Sequence, residues 1–409
     1  MSRLLHLILR GLIDRGVLTV RYPDGHEETY GGVKPGPAAS IALLDARAVR
    51  GLVTSPGMML GECYMDGTLV PVGCELFDFV DLIFLNMQTR LAFHPIIRWR
   101  ERLRTQVRRL RQFNPAPRAQ RNVAHHYDLN GALYSLFLDE DRQYSCAYFE
   151  RGDETLEEAQ LAKKRHIARK LLLRPGMEVL DIGCGWGGMA ITLAREHGVR
   201  VTGITLSEEQ LGVARARAEA AGLSGQVSFE LADYRGLDRR FDRIVSVGMF
   251  EHVGVGHFGE FFDVVRRCLA DDGVALVHAI GRSSGPGSTN PWLAKYIFPG
   301  GYCPALSEVF AASEGAGLMT ADCEVLRLHY AETLRHWRQR FAANRGAIAA
   351  MYDERFCRMF EAYMSGSEAA FRRLGVFVWQ MQLTREVDAV PLTRGYMADA
   401  PARVMQAAD

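Results

Sequence analysis

From about residue 155 onward, short apolar segments alternate with longer segments of helical periodicity. Strands are predicted at 177–183, 199–205, 227–234, 241–250 and 273–281, and helices at 155–173, 189–198, 207–222 and about 258–270. Strands that alternate with helices in this way form parallel β-α-β units. The pattern therefore predicts an α/β fold with a doubly wound sheet. After residue 281 we expect a glycine-rich loop and then a helical tail.

The first 95 residues show a different, mixed pattern. One face of a predicted first helix carries six apolar residues: Leu4, Leu5, Ile8, Leu9, Leu12 and Ile13. Residues 16–32 alternate between apolar and polar positions around a Pro-Asp-Gly turn, which predicts a hairpin. Residues 75–90 predict a second helix with a broad apolar face. We therefore expect a small α+β domain over 1–95.

Composition narrows the class of protein. Apolar residues make up 48% and charged residues 24%, which is typical of a soluble enzyme, and the net charge of +1 does not favour a nucleic-acid partner. The eight cysteines show no C-x-x-C pair, so we expect a reducing compartment and neither a disulfide framework nor a metal site. The sequence shows no secretory signal and no apolar stretch of about 18 residues. We expect a cytoplasmic protein.

Basic residues concentrate in one segment. Between Arg98 and Arg121 there are nine arginines and one acid, Glu101. This segment could be a solvated helix face, or a patch for anionic lipid headgroups, where each basic residue gains roughly 1 kcal/mol. An RNA-binding patch is a third interpretation, although such sites usually add aromatic stacking platforms. We treat residues 96–121 as an arginine-rich linker ahead of a catalytic domain over 122–409.

The segment "VLDIGCGWGG" (179–188) places an acid at a strand end and then several glycines before a helix. Glycine allows a tight turn and lets a ligand approach the helix N-terminus. A dinucleotide site would usually show G-x-G-x-x-G and an acid at the next strand end. Here the spacing is D-x-G-x-G-x-G-G, and the next strand ends in Thr205. D-x-G-x-G resembles motif I of the class I S-adenosylmethionine-dependent methyltransferases.

Six separated motifs occur in order: "HHYDLNGALYSLFLD" (125–139), "QYSCAYFE" (143–150), "LDIGCGWGG" (180–188), "GITLSEEQ" (203–210), "FDRIVSVGMFEHVG" (241–254) and "KYIFPGG" (295–301). Together they resemble the cyclopropane-fatty-acyl-phospholipid synthases, in the long bacterial form with an N-terminal lipid-binding domain. The resemblance runs from about 122 to 390 and is looser over 1–95. It implies a seven-stranded Rossmann-like methyltransferase sheet.

The resemblance also implies an activity. These enzymes transfer a methyl group from S-adenosylmethionine to the cis double bond of a phospholipid acyl chain, and proton loss then closes a cyclopropane ring. An alkene is a poor nucleophile, so the methyl donor must be held in line and dry, and aromatic faces can stabilise the developing carbocation. The resemblance further implies a homodimer that associates peripherally with the inner face of the membrane and takes unsaturated phospholipids as substrates.

Ten positions are nominated by the resemblance for S-adenosylmethionine: Tyr144, Ser145, Asp181, Gly183, Cys184, Gly185, Thr205, Gln210, Asp233 and Tyr234. Asp181 would neighbour the methionine end, above Gly183 and Gly185. The family's general pattern has an acid at the second strand end for the ribose hydroxyls. This chain departs from that pattern, which leaves Thr205 and Gln210 for the ribose. Asp233 and Tyr234 would surround the adenine.

The resemblance implies that the base is a bound bicarbonate. Five residues would hold it: Cys146, Glu251, His278, Ile280 and Tyr330. Taken alone, Cys146 and His278 would be ordinary core residues, and Glu251 could cap the following helix. Because two anions about 3 Å apart repel each other, we expect Glu251 and the bicarbonate to share a proton. His252 is assigned a structural role.

Three alternatives stay open. The same carbocation can give a methyl-branched or methylene fatty acid when a hydride shift precedes the loss of the proton, so that no ring closes. A small-molecule methyltransferase would share the fold, although it would need neither the N-terminal domain nor the arginine-rich segment. A membrane- or RNA-binding protein with a vestigial methyltransferase fold would show a degraded glycine turn, and the turn is intact.

Overall fold

The computed structural model describes residues 2–90 and 131–398. It contains a four-stranded sheet in the N-terminal domain and a seven-stranded sheet in the catalytic domain. The predicted linker 96–121, with its arginines, lies outside the described residues, and so does the start of the 125–139 motif. The domain boundary near residue 95 therefore stays a prediction. No helix among the described residues is both long and apolar enough to cross a membrane.

The N-terminal domain combines helices with a small mixed sheet. Its elements are α1 (Ser2–Leu12), β1 (Arg15–Arg21), β2 (Glu27–Gly31), β3 (Lys34–Leu43), α2 (Ala46–Thr54), α3 (Pro56–Met65), β4 (Leu69–Pro71) and α4 (Leu76–Arg90). The strand order is β2-β1-β3-β4, with β1 antiparallel to β2 and parallel to β3. The predicted hairpin and both predicted helices are confirmed.

One detail of α1 differs from the expectation of a single buried apolar face. Leu5 and Leu9 are buried, whereas Leu4, Leu7 and Ile8 are exposed. The apolar surface of this helix is therefore wider than the surface that the rest of the domain covers.

The first part of the catalytic domain has the predicted alternation. Its elements are α5 (Gly131–Ser135), α6 (Leu156–Leu171), β5 (Glu178–Ile182), α7 (Gly188–His197), β6 (Arg200–Thr205), α8 (Glu208–Ala220), β7 (Val227–Leu231), β8 (Phe241–Val247), α9 (Phe258–Cys268) and β9 (Leu269–Arg282). Strands β7, β6, β5, β8 and β9 lie side by side and are parallel. The predicted doubly wound α/β sheet is confirmed.

The tail after residue 282 contains two strands as well as helices. Its elements are α10 (Pro291–Tyr296), α11 (Leu306–Gly315), β10 (Met319–Leu326), α12 (His329–Ala343), α13 (Arg345–Met351), α14 (Glu354–Arg373) and β11 (Val376–Thr384). Strand β11 lies between β9 and β10 and is antiparallel to both, so the sheet order is β10-β11-β9-β8-β5-β6-β7. The expectation of a wholly helical tail is wrong, because buried glutamines hide the apolar pattern of β11.

The glycine turn connects the end of β5 to α7. Gly183, Gly185 and Gly187 have φ angles of +81°, +54° and +83°, a region that favours glycine. A Cβ atom on Gly187 would also clash with the ring of Phe229. The turn therefore needs glycine both for its backbone conformation and for its close packing.

The N-terminal domain packs against helices of the tail. On α3, Met65 Sδ accepts a hydrogen bond from Trp292 Nε1 of α10 at 3.2 Å. From α4, the buried carboxylate of Asp81 accepts two hydrogen bonds from Arg373 of α14, at 2.8 and 2.9 Å. Helix α10 leads directly into the segment around Pro299, which lines the cavity described below. The N-terminal domain thus supports one wall of that cavity.

A Gly61→Ala substitution is expected to reduce stability by about 1–3 kcal/mol, because the added Cβ atom would overlap the indole of Trp292. Gly57→Ala is the matched control on the same helix, since its Cβ atom would make ordinary contacts with Asn290 and Pro291, at 3.6 and 3.7 Å. Chemical unfolding of both variants measures the difference. Equal free energies of unfolding in the two variants would contradict this packing of α3 on α10.

Candidate active site

A cavity opens at the carboxyl ends of β5, β6 and β8, and its empty space is about 1270 Å³, including the solvent at its mouth. All ten positions nominated for S-adenosylmethionine line it: Tyr144, Ser145, Asp181, Gly183, Cys184, Gly185, Thr205, Gln210, Asp233 and Tyr234. Ligands of doubly wound sheets bind at this edge. The folded chain thus brings four separate sequence segments to one place, and the role of each residue in binding stays a prediction.

Asp181 ends β5 at the floor of the cavity. Its side chain is buried, and Oδ2 has no hydrogen-bond partner. Burial raises the pKa of this carboxyl to about 7, and the nearby charge of Lys163 acts in the opposite direction. An acceptor atom left unsatisfied beside a cavity is available to a ligand.

Lys163 on α6 is a functional candidate that the sequence reasoning missed. Its side chain is fully buried, and Nζ donates hydrogen bonds to Gln143 Oε1 at 2.7 Å and to Ser145 Oγ at 2.8 Å. Burial lowers its pKa to about 8. The lysine fastens the 143–145 segment, which lines the cavity, to α6. Its place on the buried stripe of α6, between Gln160 and Ile167, was the available signal.

Thr205 and Gln210 form a neutral pair where many dinucleotide sites have an acid. The Thr205 hydroxyl donates a hydrogen bond to Gln210 Oε1 at 2.9 Å, and both side chains are buried. Ser207 caps α8, and its Oγ atom accepts a hydrogen bond from the main-chain amide of Gln210 at 3.3 Å. The oxygen of the glutamine side chain is thereby occupied, which leaves its NH₂ group to donate to a ligand.

The opposite end of the cavity carries Asp233 and Tyr234. Although burial favours the neutral acid, hydrogen bonds from Arg235 keep the pKa of Asp233 below its ordinary value. The ion pair between Arg235 and Asp233 measures 2.6 Å. Tyr234 meets Phe261 edge to face at 5.4 Å between ring centroids. The ionised Asp233 and the aromatic ring supply an acceptor and a stacking surface.

His252, which the sequence reasoning assigned to structure, lies on the cavity wall. Burial lowers its pKa to about 4, so the imidazole is neutral near pH 7. The reasoning also missed other lining residues: Arg142, Gln143, Trp186, Met189, Arg235, Met249 and Pro299. Gln143, Trp186, Met249 and Pro299 lie inside the recognised motifs, and the other three are next to a motif or to a nominated residue. This proximity was the signal that could have found them.

The five residues nominated for bicarbonate do not line this cavity. Two of them are in direct contact: Glu251 Oε1 accepts a hydrogen bond from the Ile280 amide at 2.6 Å. His278 lies on the same face of β9 as Ile280. Glu251 Oε2 is buried without a partner. Burial raises the pKa of Glu251 to about 7, against the opposing hydrogen bond from Ile280.

Cys146 and Tyr330 lie in the neighbouring core, on the side of α12. The Cys146 thiol donates to the Ala147 carbonyl at 3.3 Å, and the Ala147 amide donates to Thr333 Oγ1 at 3.0 Å, one turn after Tyr330. Ile280 packs against the same core cluster. The structure thus brings Glu251 into contact with Ile280 and places Cys146 near α12.

Aromatic rings connect the cavity with this core. Tyr144 lines the cavity and stacks on Trp337, with ring centroids 5.1 Å apart, and its hydroxyl donates to Tyr363 at 3.0 Å. Tyr330 meets Trp337 edge to face at 5.7 Å. Such a wall is apolar and presents electron-rich faces, which suits both an acyl chain and a developing positive charge.

Comparisons with known proteins identify the family of the chain. The family model described as mycolic acid cyclopropane synthetase matches residues 115–381, and a domain of unknown function matches residues 5–92. The cyclopropane-fatty-acyl-phospholipid synthase of Escherichia coli (strain K12) is 41% identical over 329 residues, covering 80% of this chain and 83% of its own. A protein of Pseudomonas putida named "Probable fatty acid methyltransferase" is 37% identical over 367 residues, covering 87% of this chain and 89% of its own.

A solved structure shows the same fold with a ligand. The mycolic acid cyclopropane synthase CmaA1, crystallised with SAH and CTAB, superposes with a TM-score of 0.61 at 34% identity, covering 66% of this chain and 98% of its own. The predicted class, an S-adenosylmethionine-dependent methyltransferase, is confirmed by these comparisons together. The chain belongs to the mycolic acid cyclopropane synthetase family.

Proposed function

We propose that this enzyme transfers a methylene group from S-adenosylmethionine to the cis double bond of unsaturated phospholipid acyl chains and so forms a cyclopropane ring. The observation that carries the proposal is the buried carboxyl of Glu251, with one oxygen on the Ile280 amide and the other without a partner. Ring closure needs a proton acceptor in an apolar place, and this carboxyl helps to build one.

The cavity supports the methyl-donor part of the proposal. Asp181 and the 143–145 segment, held by Lys163, border one end of it, and Asp233 with Tyr234 borders the other. A cationic, elongated ligand with an aromatic base would find acceptors at one end and a stacking ring at the other. Tyr144 lies between this cavity and the aromatic core, so the transferred methyl group would enter an apolar environment.

Bicarbonate fits the residues behind the cavity in one respect, since Glu251 Oε2 is a buried oxygen that lacks a partner. With a pKa of about 7, Glu251 holds a proton in about half of the molecules at neutral pH and can donate it to an anion. Cys146, Glu251, His278, Ile280 and Tyr330 would hold the ion. Bound there, bicarbonate would supply the base that removes the proton from the methylated acyl chain.

We also propose that the substrate is taken from a membrane surface on the cytoplasmic side. Leu4, Leu7 and Ile8 form an exposed apolar face on α1, flanked by Arg3 and Arg10. Helices of this kind bind at the boundary between headgroups and acyl chains. The expected homodimer stays a prediction.

A methyl-branched product remains the second candidate, and one finding favours it. The Pseudomonas putida relative that covers 87% of this chain is named a fatty acid methyltransferase. Both products would arise from the same carbocation, so the product itself must be identified.

The purified enzyme, incubated with S-adenosylmethionine and vesicles of an unsaturated phospholipid, is expected to add one methylene unit to the acyl chains. Mass spectrometry of the acyl chains before and after hydrogenation of remaining alkenes distinguishes the products. A ring leaves no reducible double bond, whereas a methylene product or a methyl-branched alkene, each formed by a hydride shift and then proton loss, keeps one. Absence of any modified lipid would refute the proposed function.

Glu251→Gln is expected to lower turnover on the order of 100-fold, because the amide can still accept from Ile280 but cannot share an ionisable proton. Turnover is measured with the vesicle assay, and cofactor affinity by calorimetry should stay the same. Glu219→Gln, on the exposed surface of α8, is the control. Wild-type turnover in Glu251→Gln would contradict a role for this proton.

The Glu251→Gln substitution is also expected to change how the stability of the protein depends on pH. The folded-state pKa of Glu251, about 7, lies above its ordinary value of 4.5, so the folded protein binds the proton more tightly than the unfolded chain does. As the pH rises from 4.5 to about 7, the free energy of unfolding therefore falls. From pH 5 to pH 8, urea unfolding should show a loss of roughly 2–3 kcal/mol in the wild type relative to Glu251→Gln.

Lys163→Met is expected to raise the KM for S-adenosylmethionine by about 10- to 100-fold, since each hydrogen bond from a charged donor contributes roughly 1.5–3 kcal/mol. Lys164→Met is the matched control. Lys164 is the next residue on α6, and its partner Asp141 keeps a second ion pair with Arg217. Equal KM values for both variants would show that Lys163 does not position the 143–145 segment.

A further inference from the structure

His278 touches a glutamine that comes from the last strand of the sheet. It is buried in β9, with 2% of its surface exposed, and lies opposite Gln380 of β11 in the antiparallel register. The Nδ1 atom of the imidazole lies 3.2 Å from Nε2 of the glutamine. One edge of the ring is therefore occupied by a side chain that none of the sequence motifs contains.

The orientation of the Gln380 amide is fixed by Lys170 of α6. Lys170 is fully buried, and its Nζ atom donates to Gln380 Oε1 at 2.8 Å. An ammonium group has hydrogen atoms to donate and no lone pair to accept with, so the oxygen of the amide must face it. The NH₂ group of Gln380 must then face His278.

The charge of Lys170 is maintained by Glu324 on β10. Glu324 Oε2 accepts hydrogen bonds from Lys170 Nζ and, at 2.6 Å, from His166 Nε2. Although burial favours the neutral acid, these bonds lower the pKa of Glu324 to about 2. The carboxylate thus remains ionised and keeps the lysine in place as a donor.

This chain of hydrogen bonds determines where the proton of His278 resides. Because Gln380 presents an NH₂ group, Nδ1 of His278 can only accept, and a neutral imidazole then carries its proton on Nε2. Burial and the charges of Lys163, Lys170 and His166 lower the pKa of His278 well below its ordinary value, with Glu324 opposing them. The ring is therefore neutral at physiological pH.

We propose that Glu324, Lys170 and Gln380 are positioning residues that hold His278 as the tautomer with its proton on Nε2. This inference rests on the proposed function for its catalytic meaning. An N–H donor at the edge of the ring that Gln380 leaves free is what a bound anion such as bicarbonate requires. The opposite tautomer would present a lone pair and repel it.

Gln382 provides a matched control within the same strand. It lies two residues further on the same face of β11, is equally buried, and donates to the main-chain carbonyl of Lys170 at 2.6 Å. Its side-chain oxygen accepts from Tyr396 at 2.8 Å. Gln382 therefore shares the strand, the burial and the neighbouring helix with Gln380, but neither of these two hydrogen bonds involves His278.

The tautomer can be read in the full-length enzyme labelled with ¹⁵N in its histidine rings. Long-range ¹H–¹⁵N spectra distinguish a protonated from an unprotonated ring nitrogen, and the signals of His278 are identified by their loss in His278→Asn. We expect the wild type to show an unprotonated Nδ1 and a protonated Nε2. In Gln380→Glu the new carboxylate has no N–H to donate and attracts a proton to Nδ1, whereas Gln382→Glu should leave the His278 signals unchanged.

A protonated Nδ1 in the wild type would overturn the inference, and so would a His278 spectrum that is the same in Gln380→Glu. With the His278 signals assigned, the wild-type spectrum decides even when Gln380→Glu does not fold. We expect kcat of Gln380→Glu to fall by about 100-fold or more, since the wrong histidine tautomer reduces a triad hydrolase by about 10⁴-fold, with the KM for S-adenosylmethionine within about twofold. The spectrum needs no lipid substrate, so it can support the tautomer even where the vesicle assay refutes the proposed function.

Discussion

Ionisable side chains around this site are kept out of water, and burial is tolerable for each only to the extent that a partner replaces the water. Lys163 is satisfied by Gln143 and Ser145, and Lys170 by Glu324 and Gln380. These fully partnered groups hold their surroundings in one arrangement. By contrast, Asp181 and Glu251 each keep one buried oxygen without a partner. The buried lysines with hydrogen-bond partners fix the positions of the segments around them. The buried oxygens without partners mark where a ligand can bind.

Helices outside the parallel sheet hold these groups and the cavity wall in place. Helix α6 carries Lys163 and Lys170 and thereby links the 143–145 segment at the cavity with β11. Helix α10 receives the N-terminal domain through Trp292 and then leads to Pro299 on the cavity wall. A doubly wound sheet supplies the edge at which ligands bind, and these helices hold in place segments that line the cavity at this edge.

Sequence reasoning succeeded where the signal is local. The parallel strands are apolar runs, and the turn after β5 needs glycine at Gly183 and Gly185 because of backbone conformation, so both could be predicted from short windows. It failed for β11, whose pattern is broken by Gln380 and Gln382. These polar residues tolerate burial because their partners lie on α6, about 200 residues earlier in the chain, and no local pattern records such a pairing. Lys163 was missed for the same reason, since its charge resembles that of a surface residue until its partners are known.

Strand β11 has a consequence for the synthesis of the protein. It is the last strand in sequence among residues 2–90 and 131–398, yet it occupies an inner position between β9 and β10. Because a ribosome releases the N-terminal parts first, the five parallel strands and the glycine turn can assemble while the C-terminal end is still being made. The edge of the sheet at β9 then stays unpaired until residues 376–384 leave the ribosome. His278 receives its glutamine only at that moment, so the ability to hold a cofactor can precede the completion of the catalytic core during biosynthesis.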